Sequence, residues 1–112
     1  MQKVMLGTTG LEMPAVVVGC MRLAGKNCDE MQRFIHAAQD LGATYFDHAD
    51  IYGGGQSEMI FGQAMAADPS IKREEMFLQS KCGIRKGFFD FSKEYILSSV
   101  DGILQRLQTD YL

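Results

Sequence analysis

The feature that most constrains this chain is an alternation of element types: short apolar runs and amphipathic helical stretches succeed one another along most of its length. Residues 15–18, Ala-Val-Val-Val, form a continuous apolar run, read as a strand buried on both faces. Asn27 and Glu30 match the N-cap and third-position acid of a capping box. Behind them Met31, Phe34, Ile35, Ala38 and Leu41 recur at three- and four-residue spacing, and Gly42 closes the helix. Thr44-Tyr45-Phe46 is the next strand. Ser57-Glu58 opens a second helix with Ile60, Phe61, Ala64 and Met65 on its inner face, and Asp68-Pro69 ends it. Residues 76–79 make the third strand. After a longer loop Ser92 caps a helix whose stripe is Ile96, Val100, Ile103 and Leu107, and residues 109–112 are expected to begin a fourth strand.

That order implies parallel pairing through right-handed crossovers. A doubly wound open sheet and a portion of a (β/α)₈ barrel both satisfy it. The N-terminus favours the barrel. Residues 3–6 are strand-like, Gly7-Thr8-Thr9-Gly10 turns, and Leu11-Glu12-Met13 returns, with Pro14 ending a hairpin suited to plug the N-terminal face. The fold class expected is therefore α/β, a partial (β/α)₈ TIM barrel: hairpin, about three βα units and the start of a fourth strand. At 112 residues the chain is at most one domain. A barrel takes about 250 residues, so residues 1–112 are expected to be the N-terminal part of a single barrel domain.

Bulk properties exclude several functions. The apolar fraction of 46% and charged fraction of 22% are those of a soluble globular chain. A net charge of −3 gives no electrostatic reason to bind nucleic acid or an anionic membrane. No run approaches the roughly 18 apolar residues of a membrane span, and Met1-Gln2-Lys3-Val4-Met5 lacks the apolar core of a signal peptide. The expected location is cytoplasmic. Cys20, Cys28 and Cys82 are an odd set without C-x-x-C spacing, and His36 and His48 do not complete a zinc site, so reduced cysteines and no metal are expected.

In a barrel, functional groups gather at the C-terminal ends of strands. Residues 19–22, 47–55 and 81–83 all fall there. Free tyrosine, with a pKa near 10, is a weak acid at neutral pH, and a lysine cation close by favours its phenolate. Lys81 at the end of the third strand is placed to act so on Tyr52, and Asp47 on the neighbouring strand is placed to hold Lys81. A tyrosine tuned in this way protonates a carbonyl oxygen while hydride reaches the carbon. The competing reading is a tyrosine packed at the barrel mouth beside an ordinary surface ion pair.

Gly53-Gly54-Gly55 matches neither G-x-G-x-x-G nor a P-loop and is read as a flexible loop at the site rim. Cys20-Met21-Arg22 follows a strand directly, a position equally suited to ligand contact and to simple loop placement. His48 and Asp50 alternate with Asp47 and are expected to point away from it, as structural or rim residues. Cys82 has no base at fixed spacing, His36 is expected on the surface, and the eight methionines read as core filling.

These residues resemble a known family. Phe46-Asp47-His48-Ala49-Asp50-Ile51-Tyr52-Gly53-Gly54 is similar to the aldo-keto reductase signature around its catalytic Asp and Tyr. Ser80-Lys81-Cys82-Gly83-Ile84 is similar to the segment carrying the family's lysine. Residues 6–14 and 18–22 resemble the family's capping hairpin and first barrel strand, and the combination is closest to a bacterial branch of oxidoreductases. The resemblance implies that Tyr52 is the general acid, Lys81 lowers its pKa, and Asp47 pairs with Lys81 beside the nicotinamide. It places Cys20, Met21, Arg22 and Asp47 near the cofactor, and implies NADPH-dependent reduction of an aldehyde or ketone, a small-molecule carbonyl substrate, to an alcohol. The family's fourth catalytic residue, a histidine at the end of the fourth strand, and its grip on the adenosine phosphate fall outside residues 1–112. The chain alone is therefore expected to be inactive. Two alternatives stand beside the enzyme: a non-catalytic accessory subunit binding NADP, as in family members that serve ion channels, and an interaction module of the same fold.

Overall fold

The computed structural model describes all 112 residues. Strands β1 (Lys3–Met5) and β2 (Glu12–Pro14) pair antiparallel, with Lys3 opposite Pro14. Pro14 thus belongs to the returning strand rather than lying beyond it. Then come β3 (Val17–Gly19), α1 (Cys28–Asp40), β4 (Tyr45–Asp47), α2 (Gln56–Ala67) and β5 (Phe77–Gln79). The three strands form one parallel sheet in sequential order β3-β4-β5. A second hairpin, β6 (Ile84–Arg85) with β7 (Phe88–Phe89), precedes α3 (Lys93–Leu107).

The register divides the sheet into two faces. Val18, Phe46 and Leu78 stand side by side on one face. They pack with Met31, Ile35, Phe61, Ile103 and Leu107 of the three helices into a single core. Val17, Tyr45 and Phe77, then Gly19, Asp47 and Gln79, occupy the other face, because successive residues of a strand point oppositely. Helices on one face of a sequentially ordered parallel sheet give the winding of a barrel wall.

Local chemistry explains the helix ends. The Asn27 side chain accepts from the Glu30 N–H at 2.9 Å, while the Glu30 carboxylate accepts from the Asn27 N–H at 3.1 Å, completing the expected capping box. Ser92 accepts from the Tyr95 N–H at 3.3 Å and caps α3.

Several expectations are corrected. Val17 is 44% exposed, so β3 is not buried on both faces: it is an edge strand, and the face opposite the helices is only partly covered, with Leu6, Leu11 and Met13 of the N-terminal hairpin lining a cleft beside Tyr45, Phe77 and Gln79. Leu41 caps α1 and is 71% exposed, outside the apolar stripe. Ile96 is also exposed, since the first turns of α3 run beyond the core. Helix α2 begins at Gln56 behind Gly55, and Ser57 and Glu58 are wholly buried rather than opening it from solvent. Residues 109–112 form no strand. There the Tyr111 carbonyl accepts from the Arg73 guanidinium at 2.8 Å, and that group also lies 3.8 Å from the Tyr111 ring centroid.

Candidate active site

The strand register brings the C-terminal ends of β3, β4 and β5 level, with Gly19, Asp47 and Gln79 abreast. Backbone bonds continue past the strands: Cys20 N–H to Asp47 O at 3.0 Å, His48 N–H to Gln79 O at 2.8 Å, and Asp50 N–H to Lys81 O at 3.0 Å. Lys81 lies two residues beyond Gln79, so its side chain rises on the Asp47 face. Its ammonium donates to Asp47 Oδ1 at 2.7 Å and to the His48 carbonyl at 2.7 Å. The same ammonium lies 5.1 Å from the centroid of the Tyr52 ring. The structure thus brings Asp47, Tyr52 and Lys81 together.

Lys81 is held above the usual lysine range. Partial burial opposes its charge, but the bond to Asp47 and the nearness of the Tyr52 phenol outweigh that. The phenol contributes by proximity, since both of the ammonium's short hydrogen bonds go to Asp47 and His48. With the Lys81 and Asp47 side chains 45% and 27% exposed, the pair is weakened by solvent screening. Its importance lies in placing charge rather than in stability.

Tyr52 is set by the turn that follows it. Gly53, Gly54 and Gly55 take φ of 58°, 63° and 92°, three left-handed residues in succession. A Cβ on Gly53 would also stand 2.4 Å from that of Ala24. The run expected as a flexible rim loop takes a left-handed turn over Gly53–Gly55 that leads straight into α2. An open, mostly apolar cleft of about 480 Å³ lies against Tyr52 and Lys81, with Ile84, Phe89 and Phe91 on its far side. Another cleft, of about 500 Å³ beside β1 and β2, holds none of the three.

The remaining candidates separate. Met21 and Arg22 are exposed beyond the end of β3, following Cys20 in the chain. Cys20 is buried in the core, its thiol pushed up to about 12 by burial and then by the Asp47 charge. Its backbone N–H is bonded to Asp47, and its carbonyl accepts from the Ser57 hydroxyl at 2.6 Å. His48 is fully buried, edge-on to Phe61 at 4.6 Å, and points away from Asp47 as alternation requires. Burial lowers it to about 4, and neither ring nitrogen has a hydrogen-bond partner. Asp50 is half-buried, and burial raises its carboxyl against the opposing pull of Arg106. His36 is more than a surface residue: its Nε2 meets Asp68 at 2.8 Å and clips α1 to the end of α2. Cys82 lines the cleft near Tyr52 and Lys81.

Sequence reasoning missed three features. Gln79 Nε2 donates to Asp47 Oδ1 at 2.6 Å, and Gln79 Oε1 accepts from the Tyr45 hydroxyl at 2.5 Å. The alternation of strand residues carried that signal, because it puts 45, 47 and 79 on one face. The buried Glu58 accepts from Ser80 Oγ at 2.6 Å and from Arg106 Nε at 2.7 Å, joining α2 to β5 and α3. No local pattern marks that pairing. The β6–β7 hairpin was legible in Lys86-Gly87 between Ile84-Arg85 and Phe88-Phe89.

A barrel-wall sheet with an Asp, a Lys and a Tyr converging beyond its C-terminal edge defines a narrow class of protein, and comparison with known proteins identifies it. The sequence model of the Aldo/keto reductase family matches residues 15–112. The chain is 39% identical to the uncharacterized oxidoreductase YcsN of Bacillus subtilis, over all of this chain and 41% of that protein. It is 37% identical to the oxidoreductase YdhF of Escherichia coli, over 99% of this chain and 40% of that protein. Among solved structures it resembles the holo form of aldo-keto reductase AKR11C1 from Bacillus halodurans. There the TM-score is 0.84 at 35% identity, covering all of this chain and 38% of that one. The chain belongs to the aldo-keto reductase family, and its architecture is part of that family's TIM barrel. It spans about two fifths of the length of these relatives.

Proposed function

We propose that the protein carrying this chain is an NADPH-dependent oxidoreductase that reduces aldehydes or ketones to alcohols, and that residues 1–112 are the N-terminal part of its single barrel domain. The observation that carries the reading is the Lys81 ammonium, 2.7 Å from Asp47 and 5.1 Å from the Tyr52 ring, beside an open cleft. Tyr52 donates its proton to the carbonyl oxygen of the substrate. Lys81 stabilises the negative charge left on the phenol oxygen, and Asp47 keeps the ammonium charged and in place.

The residues present fit the nicotinamide end of the cofactor. Gly19 carries no side chain beside Asp47, and a Cβ there would meet nothing within 4 Å, which leaves the floor next to the carboxylate clear. Asp47, Met21 and Arg22 would hold that end, with Cys20 supporting the loop from the core. When bound, the cofactor supplies the hydride. Three free thiols, with no disulfide among them, suit a reducing cytoplasm. Residues 1–112 by themselves are inactive on this reading, because the family resemblance puts the grip on the adenosine phosphate outside them.

Tyr52→Phe in the full-length protein tests the proposal. Loss of a general acid lowers kcat by roughly 100-fold or more, with cofactor affinity retained, in an assay of NADPH oxidation with aldehydes. Undiminished turnover would remove Tyr52 from the chemistry. A purely accessory binding role would leave partner affinity unchanged in the same variant and show no turnover in either form.

A further inference from the structure

Four side chains on the face of the sheet opposite the helices form one directed chain of hydrogen bonds. Asp47 Oδ1 accepts from Lys81 Nζ at 2.7 Å and also from Gln79 Nε2 at 2.6 Å. A carboxylate accepts only, so Gln79 must turn its NH₂ towards Asp47. Its carbonyl oxygen therefore faces the other way, where it accepts from the Tyr45 hydroxyl at 2.5 Å. Tyr45 is in turn stacked on Phe77, with ring centroids 5.5 Å apart and planes 14° apart. The order is set by strand register: Tyr45 lies opposite Phe77 and Asp47 opposite Gln79, so the amide reaches one partner across the strands and the other diagonally.

We propose that Gln79, oriented by Tyr45, is a positioning residue that fixes the Asp47 carboxylate and, through it, the Lys81 ammonium beside Tyr52. This rests on the reductase reading above. Without the amide, Asp47 keeps a single side-chain partner, itself a flexible lysine on an exposed rim, and both groups gain rotational freedom. A hydrogen bond to a charged group is among the stronger kinds, and small misplacements of catalytic groups are expensive in rate. Gln79 touches neither Lys81 nor Tyr52 through a hydrogen bond, so its effect passes through Asp47 alone.

Two measurements on the full-length protein test the proposal. The first is turnover of Gln79→Met, which keeps the side-chain length and removes both polar groups, and of Tyr45→Phe, which keeps the stack on Phe77 and removes only the donor. Gln79→Met is expected to lower kcat roughly tenfold with KM for the aldehyde little changed. Tyr45→Phe should lower it less, because the amide retains Asp47 but loses its fixed orientation.

The second needs no activity: the rate at which acetic anhydride modifies Lys81, read by peptide mass spectrometry. A less tightly held ammonium reacts faster, so a several-fold rise is expected in Gln79→Met and a smaller one in Tyr45→Phe. Unchanged labelling and unchanged kcat in a folded Gln79→Met protein would overturn the proposal even while Tyr52→Phe remains inactive. If Tyr52→Phe is fully active, the reductase reading fails, and the labelling result still decides whether Gln79 positions the pair. Should Gln79→Met fail to fold, Tyr45→Phe carries the same two readouts, and no change in either one overturns the proposal.

Discussion

His48 shows what one buried titratable residue does to the pH response of this fold. It stands next to Asp47 in sequence but faces the core, against Phe61, with both ring nitrogens unpartnered. Burial is the main reason its pKa falls from 6.5 to about 4; the Asp47 charge opposes that shift and the Lys81 charge adds to it. As pH drops, the unfolded chain takes up this proton first. The stability tied to neutral His48 is therefore complete above about pH 6.5 and is lost progressively as pH falls towards 4, reaching about 3 kcal/mol. His48→Leu should flatten that slope, measured as the urea midpoint between pH 4 and 7. An unchanged slope would show that another group is responsible. Asp68, held down to about 2 first by Ser70 and then by His36, contributes only in a lower window, below its ordinary 3.8. The position of His48 was legible from strand alternation, but its lack of partners was not, because it depends on what α2 presents to it.

At the scale of elements, α2 and α3 approach each other closely at Gly62. A Cβ on Gly62 would lie 2.2 Å from the Arg106 carbonyl oxygen and 2.9 Å from the Leu107 Cα, both backbone atoms that cannot swing aside. Gly62→Ala should therefore push the helices apart and destabilise the fold by about 2 kcal/mol, in the range for overpacking. Gly25→Ala, with nothing within 4 Å of its Cβ, should be nearly neutral. Equal urea midpoints for the two variants would contradict the close approach. The same junction holds the buried Glu58 between Ser80 and Arg106, so α3 is tied to the strand end that carries Lys81. The Asn27 and Ser92 caps and the stripe residues Met31, Ile35, Phe61, Ile103 and Leu107 were legible because they obey short-range rules. The Gly62 contact and the Glu58 ion pair join residues more than twenty positions apart, and no periodicity encodes them.

For the molecule as a whole, the decisive property is the asymmetry of the sheet. One face is packed by three helices, while the other exposes Val17 and carries Tyr45, Phe77 and the polar chain through Gln79. Edge strands and a partly covered apolar face invite pairing with other chains. Residues 1–112 prepared alone should therefore self-associate, with a light-scattering mass that exceeds 12.5 kDa and rises with concentration. A monodisperse monomer across the range would show that the partly covered face is tolerated in water.

The sequence by itself determined the alternation of strands and helices, the capping box at Asn27, and the placing of Asp47, Tyr52 and Lys81 at strand ends. Each of these follows from residue type and spacing within a few positions. Only the tertiary structure decided that Gln79 and Tyr45 join Asp47, that Cys20 turns inward while Met21 and Arg22 stay outside, and that residues 109–112 lie against Arg73 without forming a strand. Those outcomes depend on register between strands and on how closely helices pack. They are set by the simultaneous burial of distant side chains, which no local window of sequence contains.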